Sequence, residues 1–178
     1  PGEAVKNKPV NRRMKIADKN MNFRNVTAKL LVYGTMTGNA QLVAQELELI
    51  LDGEGVEVEI LDMDKMTPDI FTTDNIYLIS TSTYGQGDVP DNARDFAEAL
   101  DLNKPNLENI RYGIIALGDR TYSETFCHGG KRFDELLQKC GAERIGDILM
   151  HDASLGTMPE EDAGDWSKSW LKQCQQYW

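Results

Sequence analysis

The sequence predicts an α/β fold: a three-layer, doubly wound sheet of five parallel strands in the order 2-1-3-4-5. Apolar runs of strand length alternate along the chain with segments of helical spacing, as in a parallel sheet with crossover helices. Two of the runs are almost continuously apolar, as strands buried on both faces are. The first run ends in a turn rich in Gly and Thr, so we expect a ligand beyond the carboxyl ends of the strands, where the strand order reverses.

The first strand and the first helix flank a turn that suits an anion. Apolar Leu30–Val32 precedes the turn Thr35–Ala40, and Val43 and Leu47 then lie on one face of a helix. The turn aims backbone N–H groups and hydroxyls at one point, and the helix dipole adds positive potential there, so phosphate fits. The stretch contains no Lys or Arg, which argues against a nucleoside triphosphatase loop. The alternative is an ordinary strand-to-helix turn with a Thr N-cap.

The remaining elements follow in chain order. Alternating or continuous apolar runs predict strands over 56–61, 75–82, 111–118 and 144–150. Helical spacing predicts helices over 91–100, 131–139 and 160–175. Trp166 and Trp170 share one face of the last helix, and we expect them in the core rather than in a site.

Charge divides the chain into two parts. Residues 1–28 contain seven basic and two acidic residues, whereas the whole chain has a net charge of −10, so residues 29–178 are strongly acidic. We therefore predict a basic N-terminal arm or leader over 1–28 and one domain over 29–178. The acidic domain disfavours nucleic acid and anionic membranes, and it suits docking against a basic patch of another protein. The alternative is that the acidity only serves solubility.

Cysteine usage and hydropathy predict a cytoplasmic location. The chain has three Cys and no C-x-x-C, which favours a reducing compartment without a disulfide framework. No apolar run approaches ~18 residues, so we expect no membrane span, and no signal peptide is evident. The chain opens at Pro1 rather than Met, so we expect a tag remnant or a piece of a longer protein, with Met14 or Met21 as possible native starts.

Two further loops at the carboxyl ends of strands each carry a Tyr. Tyr84 follows the third strand and stands directly before Gly85, and Tyr122 lies in the loop after the fourth strand. Two aromatic side chains beside a phosphate-binding turn suit a flat ring with a phosphate tail, and flavin mononucleotide (FMN) is such a ligand. The alternative is that both Tyr side chains only face solvent.

Three segments resemble the flavodoxins, most closely the short MioC-type flavodoxins and the FMN domains of diflavin reductases such as cytochrome P450 reductase. The segments are Gly34–Ala40, Ser82–Ala93 and Ala116–Cys127, and the resemblance covers about residues 29–175. The absence of a long insertion at the fifth strand is typical of a short-chain member.

The resemblance implies that FMN is the cofactor and assigns three sets of contacts. The phosphate would be held by Thr35, Met36, Thr37, Gly38, Asn39 and Ala40. The isoalloxazine ring would contact Ser82, Thr83, Tyr84, Gly85 and Gly87 on one side. The other side would be lined by Leu117, Gly118, Asp119, Tyr122, Phe126 and Cys127, with Asp152 nearby. Many free flavodoxins have a hydroxyl residue where Ala40 stands, so this turn loses one phosphate donor.

The predicted function is a non-enzymatic carrier that shuttles single electrons from an NAD(P)H-dependent flavoprotein reductase to a protein acceptor. The resemblance implies no catalytic residue and no metal, and we expect a monomer. One alternative is an FMN domain cut from a diflavin reductase. Another class is an NAD(P)H–quinone oxidoreductase, which is disfavoured because the sequence lacks a second Gly-rich strand–helix turn for a dinucleotide.

Two other kinds of site are disfavoured by particular residues. Cys127 and His128 could suggest a nucleophile or metal pair, but the chain has only two His and no ligand cluster forms around them. A phosphoacceptor receiver domain shares the fold, but it needs an Asp at the end of the third strand, where Ser82 or Thr83 stands.

Overall fold

The computed structural model describes residues 27–32, 35 and 37–177. In this part of the chain, six strands form one parallel sheet and four α-helices cover its two faces. The strands are β1 (Thr27–Val32), β2 (Glu57–Asp62), β3 (Asn75–Ser82), β4 (Arg111–Gly118), β5 (Glu143–Arg144) and β6 (Leu149–Asp152). The helices are α1 (Asn39–Gly53), α2 (Asp91–Asn103), α3 (His128–Lys139) and α4 (Pro159–Cys174). None of the helices in the described ranges has the length and apolar composition that a membrane span requires.

The strand order is β2-β1-β3-β4-β5, and β6 also pairs with β4, so the predicted fold class is confirmed. The predicted fifth strand over 144–150 is wrong in one respect, because it is interrupted. β5 pairs with the start of β4 and β6 pairs with its end. Between them Gly146 has a φ of 70°, and the indole N–H of Trp170 donates to the carbonyl of Ile145 at 3.1 Å. A left-handed residue and a side-chain partner thus replace regular pairing there.

Two apolar layers hold the helices on the sheet. One lies between the sheet and helices α1 and α4, and it contains Leu47, Ile115 and Trp170. The other lies under α2 and α3 and contains Phe96 and Phe133. Trp170 is buried, which confirms its predicted place in the core, and Trp166 is half-buried, packs against the first layer and stacks on Trp170.

Helix α3 begins three residues before the predicted start, because two glycines allow close contact with the sheet. A Cβ on Gly129 would collide with the carbonyl oxygen of Ser82, and a Cβ on Gly130 would collide with Ala116. The sequence pattern of apolar side chains misses this first turn, since its packing residues have no side chain.

The loops that follow the strands meet at one edge of the sheet. The parallel register places Val32 of β1 beside Ser80, two residues before β3 ends at Ser82. It also pairs Ser82 with Leu117 and Gly118 with Asp152. The loops after β1, β3, β4 and β6 are therefore brought together. β1 itself starts at Thr27, two residues before the predicted domain boundary.

Candidate functional site

A cavity of about 430 Å³ opens at this edge of the sheet. Its volume is in the range of small-molecule and cofactor sites. Nine predicted site residues line it: Thr37, Asn39, Ser82, Thr83, Gly85, Leu117, Gly118, Asp119 and Tyr122. Three residues that the sequence analysis did not select also line it: Thr125, His151 and Ala153.

The turn after β1 is organised by one hydroxyl. Thr35 Oγ1 accepts hydrogen bonds from the backbone N–H groups of Thr37, at 3.1 Å, and Gly38, at 2.8 Å. Gly38 has a φ of 84° and precedes helix α1, whose first turn contains no acidic residue. Because the first N–H groups of a helix lack partners within it, this end of α1 offers donors and positive potential to an anion.

Two of the predicted phosphate ligands, Met36 and Ala40, offer no described side chain to the cavity. The side chain of Ala40 is buried in the layer beneath α1, so only its backbone N–H is available to a ligand. Met36 lies outside the described residues.

A tight antiparallel turn follows β3 and presents the first Tyr. The backbone groups of Tyr84 and Asp88 bond in both directions at 2.9 Å, and the N–H of Gly87 donates to the carbonyl of Tyr84. Gly85 and Gly87 have φ values of 52° and 100°, which favour glycine. The Tyr84 side chain is 42% exposed.

Helix α3 supports this turn from behind. The N–H of Gly129 donates to Thr83 Oγ1 at 3.1 Å, and a Cβ on Gly87 would lie 2.9 Å from His128 Nδ1. Gly87 therefore lies against α3 and lines a neighbouring groove rather than the cavity.

The loop after β4 presents the second Tyr. Asp119 Oδ1 accepts from the N–H of Thr121 at 2.8 Å and from its hydroxyl, which fixes the start of the loop as an Asx turn. Tyr122, whose N–H donates to the carbonyl of Asp119, is 70% exposed at the mouth of the cavity. Tyr122 thus lines the cavity, whereas the predicted site residue Tyr84 is exposed on the neighbouring turn and is not among the lining residues.

Phe126 and Cys127 lie behind the cavity wall rather than in its lining. Phe126 is buried and its ring is covered by the guanidinium of Arg120, 4.5 Å from the ring centroid. Cys127 is fully buried, and its thiol donates to the carbonyl of Ala116 at 3.3 Å. Burial raises the pKa of Cys127 to about 11, so this thiol is not an activated nucleophile. The structure brings neither residue to the cavity.

Asp152 joins the loops after β4 and β6. Its carboxylate accepts from the N–H of Arg120 at 3.0 Å and from the N–H and hydroxyl of Ser154 at 3.0 and 2.7 Å. Burial raises its pKa, but these hydrogen bonds and the Arg120 charge outweigh that effect and lower the pKa below the ordinary value. Asp152 thus holds two walls in place and does not itself line the cavity.

His151 is the titratable lining residue that the sequence analysis missed. It is 4% exposed, and its Nδ1 lies 2.7 Å from Asp162 Oδ2. Thr157 donates its hydroxyl to the same carboxylate oxygen at 3.0 Å. The pair is 11 residues apart in sequence and matches no motif. The only signal for His151 in the sequence is that a polar residue occupies a core-facing position of β6.

The described residues contain no group of His, Cys, Asp and Glu that could hold a metal ion. The cavity offers hydroxyls, backbone donors, one helix N-terminus and the exposed aromatic ring of Tyr122, with Tyr84 exposed on the turn that contributes Gly85. This set of groups suits a planar aromatic ligand that carries a phosphate.

Comparisons with known proteins agree with this chemistry. A family profile described as Flavodoxin matches residues 31–166. Flavodoxin YqcA of Escherichia coli K12 is 40% identical over 137 residues, which are 77% of this chain and 91% of that protein. The sulfite reductase [NADPH] flavoprotein alpha-component of Bacillus subtilis is 36% identical over 80% of this chain, but over 23% of its own length. The structure of a cysteine-to-alanine mutant of flavodoxin from Pseudomonas aeruginosa superposes with a TM-score of 0.74 at 29% identity, and covers 83% of this chain and 98% of that one.

Proposed function

The chain belongs to the flavodoxin family, and from this premise we propose that it carries single electrons between proteins. It would receive them from an NAD(P)H-dependent flavoprotein reductase and pass them to a protein acceptor. The cofactor of the family is FMN, so the predicted cofactor is confirmed, and its ring supplies the redox chemistry when bound.

The residues present fit FMN. The N-terminus of α1 has no acidic residue in its first turn, and Thr37 and Asn39 line the adjoining part of the cavity. A Cβ on Gly38 or Gly85 would have no atom within 4 Å, so the backbone at both positions borders open space. A phosphate can therefore approach the donors of the turn, and a ring can approach the peptide of Gly85.

The single observation that carries the proposal is that Tyr122 is exposed at the cavity mouth, while Tyr84 is exposed on the turn that contributes Gly85 to the lining. The two side chains follow the neighbouring strands β3 and β4, and in the proposal each covers one face of an isoalloxazine ring. With both faces covered, no room is left for a nicotinamide over the ring, as direct hydride transfer would need. The edge of the ring remains open to another protein.

The residues of the chain then have defined tasks. The turn after β1 anchors the cofactor, and the carbonyl and N–H groups around Gly85 offer hydrogen-bond partners to the ring. The tyrosines exclude water from its faces. Among the described lining residues, no Ser, Thr or Tyr hydroxyl is hydrogen-bonded to His151 or Asp119, the lining groups that could act as a general base. The protein therefore positions a redox group rather than reacting itself.

Charge defines the partner surface. Acidic side chains occur in the loops at this edge of the sheet: Asp119 lines the cavity, and Asp88 and Glu124 are exposed on the turns after β3 and β4; the chain carries a net charge of −10. Such a surface steers a partner with a basic patch and disfavours anionic dinucleotides. We therefore propose that both donor and acceptor dock through basic surfaces.

Stopped-flow absorbance of the FMN-loaded protein tests the proposal. We expect negligible bleaching by NADH or NADPH alone and fast reduction once a flavoprotein reductase is added. The rate should fall as salt rises from about 0.01 to 0.15 M, because screening shortens the reach of surface charges. Rapid and complete reduction by NADPH alone would instead favour the NAD(P)H–quinone oxidoreductase alternative.

A second candidate is that the chain is the FMN domain of a longer flavoprotein. The similarity to one part of the Bacillus subtilis sulfite reductase flavoprotein favours it. The length of the reading frame that encodes the chain decides between a free carrier and a domain, and the cavity chemistry is the same in both.

We also propose that the protein acts as a monomer in the cytoplasm. Cys127, Cys140 and Cys174 are all buried and unpaired, which suits a reducing compartment. Sedimentation with and without FMN tests the oligomeric state.

A further inference from the structure

We propose that His151, held by Asp162, donates a hydrogen bond to a phosphate oxygen of FMN and supplies the positive charge that the turn after β1 lacks. The proposal rests on the cofactor assignment and deepens it by naming an additional phosphate ligand. It is independent of which reductase or acceptor the protein serves.

The orientation of the His151 imidazole leaves one ring nitrogen available to a ligand. Nδ1 lies 2.7 Å from Asp162 Oδ2, and an ionised carboxylate only accepts hydrogen bonds, so Nδ1 is the donor of this pair. Thr157 donates to the same oxygen and fixes the carboxylate. The ring is 4% exposed and lines the cavity. Nε2, which has no hydrogen-bond partner among the described residues, is left as the nitrogen available to a ligand.

The charged side chains in the cavity lining also favour His151 as a phosphate ligand. Of the described lining residues, His151 alone can carry a positive charge, and Asp119 is the acidic one. The charged groups near His151 are Asp162 from α4 and Asp119 across the cavity. Asp152 follows on the same strand, but Arg120 and Ser154 occupy its carboxylate. A phosphate in the cavity would therefore find one side chain able to neutralise part of its charge.

The face of the sheet on which His151 lies indicates that it contacts the phosphate of FMN rather than the flavin ring. Leu149 packs against the layer under α1 and α4, and His151, two residues further along β6, projects from the same face. Helix α1 begins on that face, with Thr37 and Asn39 in the cavity lining. His151 is thus on the side of the phosphate turn, whereas Tyr84 lies on the turn that α3 supports from the opposite face.

A protonated imidazole can satisfy both partners at once. Both of its ring nitrogens donate, so the ring can bridge Asp162 and a phosphate oxygen without a covalent change. Hydrogen bonds between charged groups are the strong ones, which makes the loss of this bridge measurable.

Calorimetric titration of three variants with FMN and with riboflavin, which lacks the phosphate, tests the proposal. His151→Gln keeps a polar side chain but no charge, and Asp162→Asn keeps the imidazole and an acceptor oxygen beside it but removes the negative charge. Asp165→Asn is the matched control, because it removes one negative charge from the same helix at an exposed position that pairs with Lys168. Urea unfolding of each apoprotein checks that the variants fold.

We expect His151→Gln to weaken FMN about tenfold or more and to leave riboflavin unchanged. Asp162→Asn should weaken FMN by a smaller factor, and Asp165→Asn should change neither ligand. The ³¹P resonance of bound FMN should also shift in His151→Gln.

Other outcomes overturn the inference. Equal weakening of FMN and riboflavin would place His151 against the ring or the ribityl chain. Unchanged affinity for both ligands in the two folded variants would make the pair purely structural. If the wild-type protein itself failed to prefer FMN over riboflavin, the cofactor assignment would fail, and that failure is distinct from the loss of His151 alone.

Discussion

Two sides of the cavity are built in different ways. The phosphate turn, residues 35–40, is organised by Thr35, which accepts from residues two and three positions along the chain. Another part of the cavity wall, which we call the β6 side, is built by Arg120, His151, Asp152 and Asp162. There Asp152 accepts from Arg120, 32 positions away, and His151 pairs with Asp162, 11 positions away. One side is a local turn and the other is assembled by the fold.

The difference has a physical consequence. A local turn needs only a few nearby residues of the right type, so it tolerates change elsewhere in the protein. A wall that is formed by elements distant in sequence depends on how closely those elements pack. A packing defect elsewhere in the protein should therefore displace the residues of this wall. Substitutions should therefore separate the two kinds of construction, and a substitution that disturbs packing should have the strongest effect.

The largest effect should follow from adding one methyl group where α3 meets the sheet. We expect Gly129→Ala to lower the free energy of unfolding by about 3 kcal/mol, because its Cβ would collide with the backbone of Ser82. Gly53→Ala is the matched control, since a Cβ there meets nothing within 4 Å at the end of α1. Urea unfolding of both apoproteins measures the difference. Equal stability of the two variants would show that α3 can shift without cost.

The second effect should be confined to the phosphate turn. We expect Thr35→Val to weaken FMN by about 1–3 kcal/mol, because two backbone N–H groups lose their acceptor and the turn loses its shape. Thr37→Ala should also weaken FMN by roughly 1–3 kcal/mol, since it removes a donor to a charged group.

Thr67→Val, at an exposed position without a side-chain cap bond, is the control for the Thr35 change. Fluorescence titration measures the FMN affinity of all three variants. Urea unfolding should show little change in the stability of any of the three. A large loss of stability in Thr35→Val would contradict the view that this turn is local.

A smaller effect should follow at the two tyrosines. We expect Tyr84→Ala and Tyr122→Ala each to cost about 1 kcal/mol of FMN binding, because each removes one stacking partner. Quenching of flavin fluorescence reports stacking directly. If flavin fluorescence were still fully quenched in both single variants, the two tyrosines would not be the stacking partners of the ring.

The smallest effect concerns the pH dependence of the β6 side. Because hydrogen bonds and Arg120 outweigh burial and lower the pKa of Asp152, its contribution to stability is complete above the ordinary carboxyl pKa of about 3.9. That contribution to stability is lost as the pH falls towards the lowered pKa that Asp152 has in the folded protein. Stability should therefore decline less steeply below about pH 4 in Asp152→Asn than in the wild type. Urea midpoints between pH 7 and pH 3 test this, with Asp165→Asn as the control, and identical slopes would argue against it.

The same contrast explains what the sequence could predict. The turn Thr35–Ala40 and the loops with Tyr84 and Tyr122 were predictable, because each is a short stretch whose residue types define its geometry. The alternation of strands and helices likewise follows from local periodicity, and the fold class and the family were confirmed.

Features that depend on distant contacts were not predictable. The interruption between β5 and β6 needs Trp170 of α4 to bond Ile145, and no local pattern signals it. The early start of α3 depends on glycines that fit against Ser82 and Ala116. His151 gains its role only when α4 brings Asp162 within 2.7 Å. Sequence position alone also could not show that Cys127 packs behind the wall.

We propose that this cavity binds FMN through its phosphate as well as its ring. Isothermal titration calorimetry of the wild-type apoprotein with FMN and with riboflavin distinguishes the two contributions. We expect one FMN per chain, bound at least about tenfold more tightly than riboflavin, since the phosphate turn adds charge-assisted hydrogen bonds. Equal affinity for the two ligands would show that the phosphate turn contributes nothing to binding, and the proposal would then be wrong.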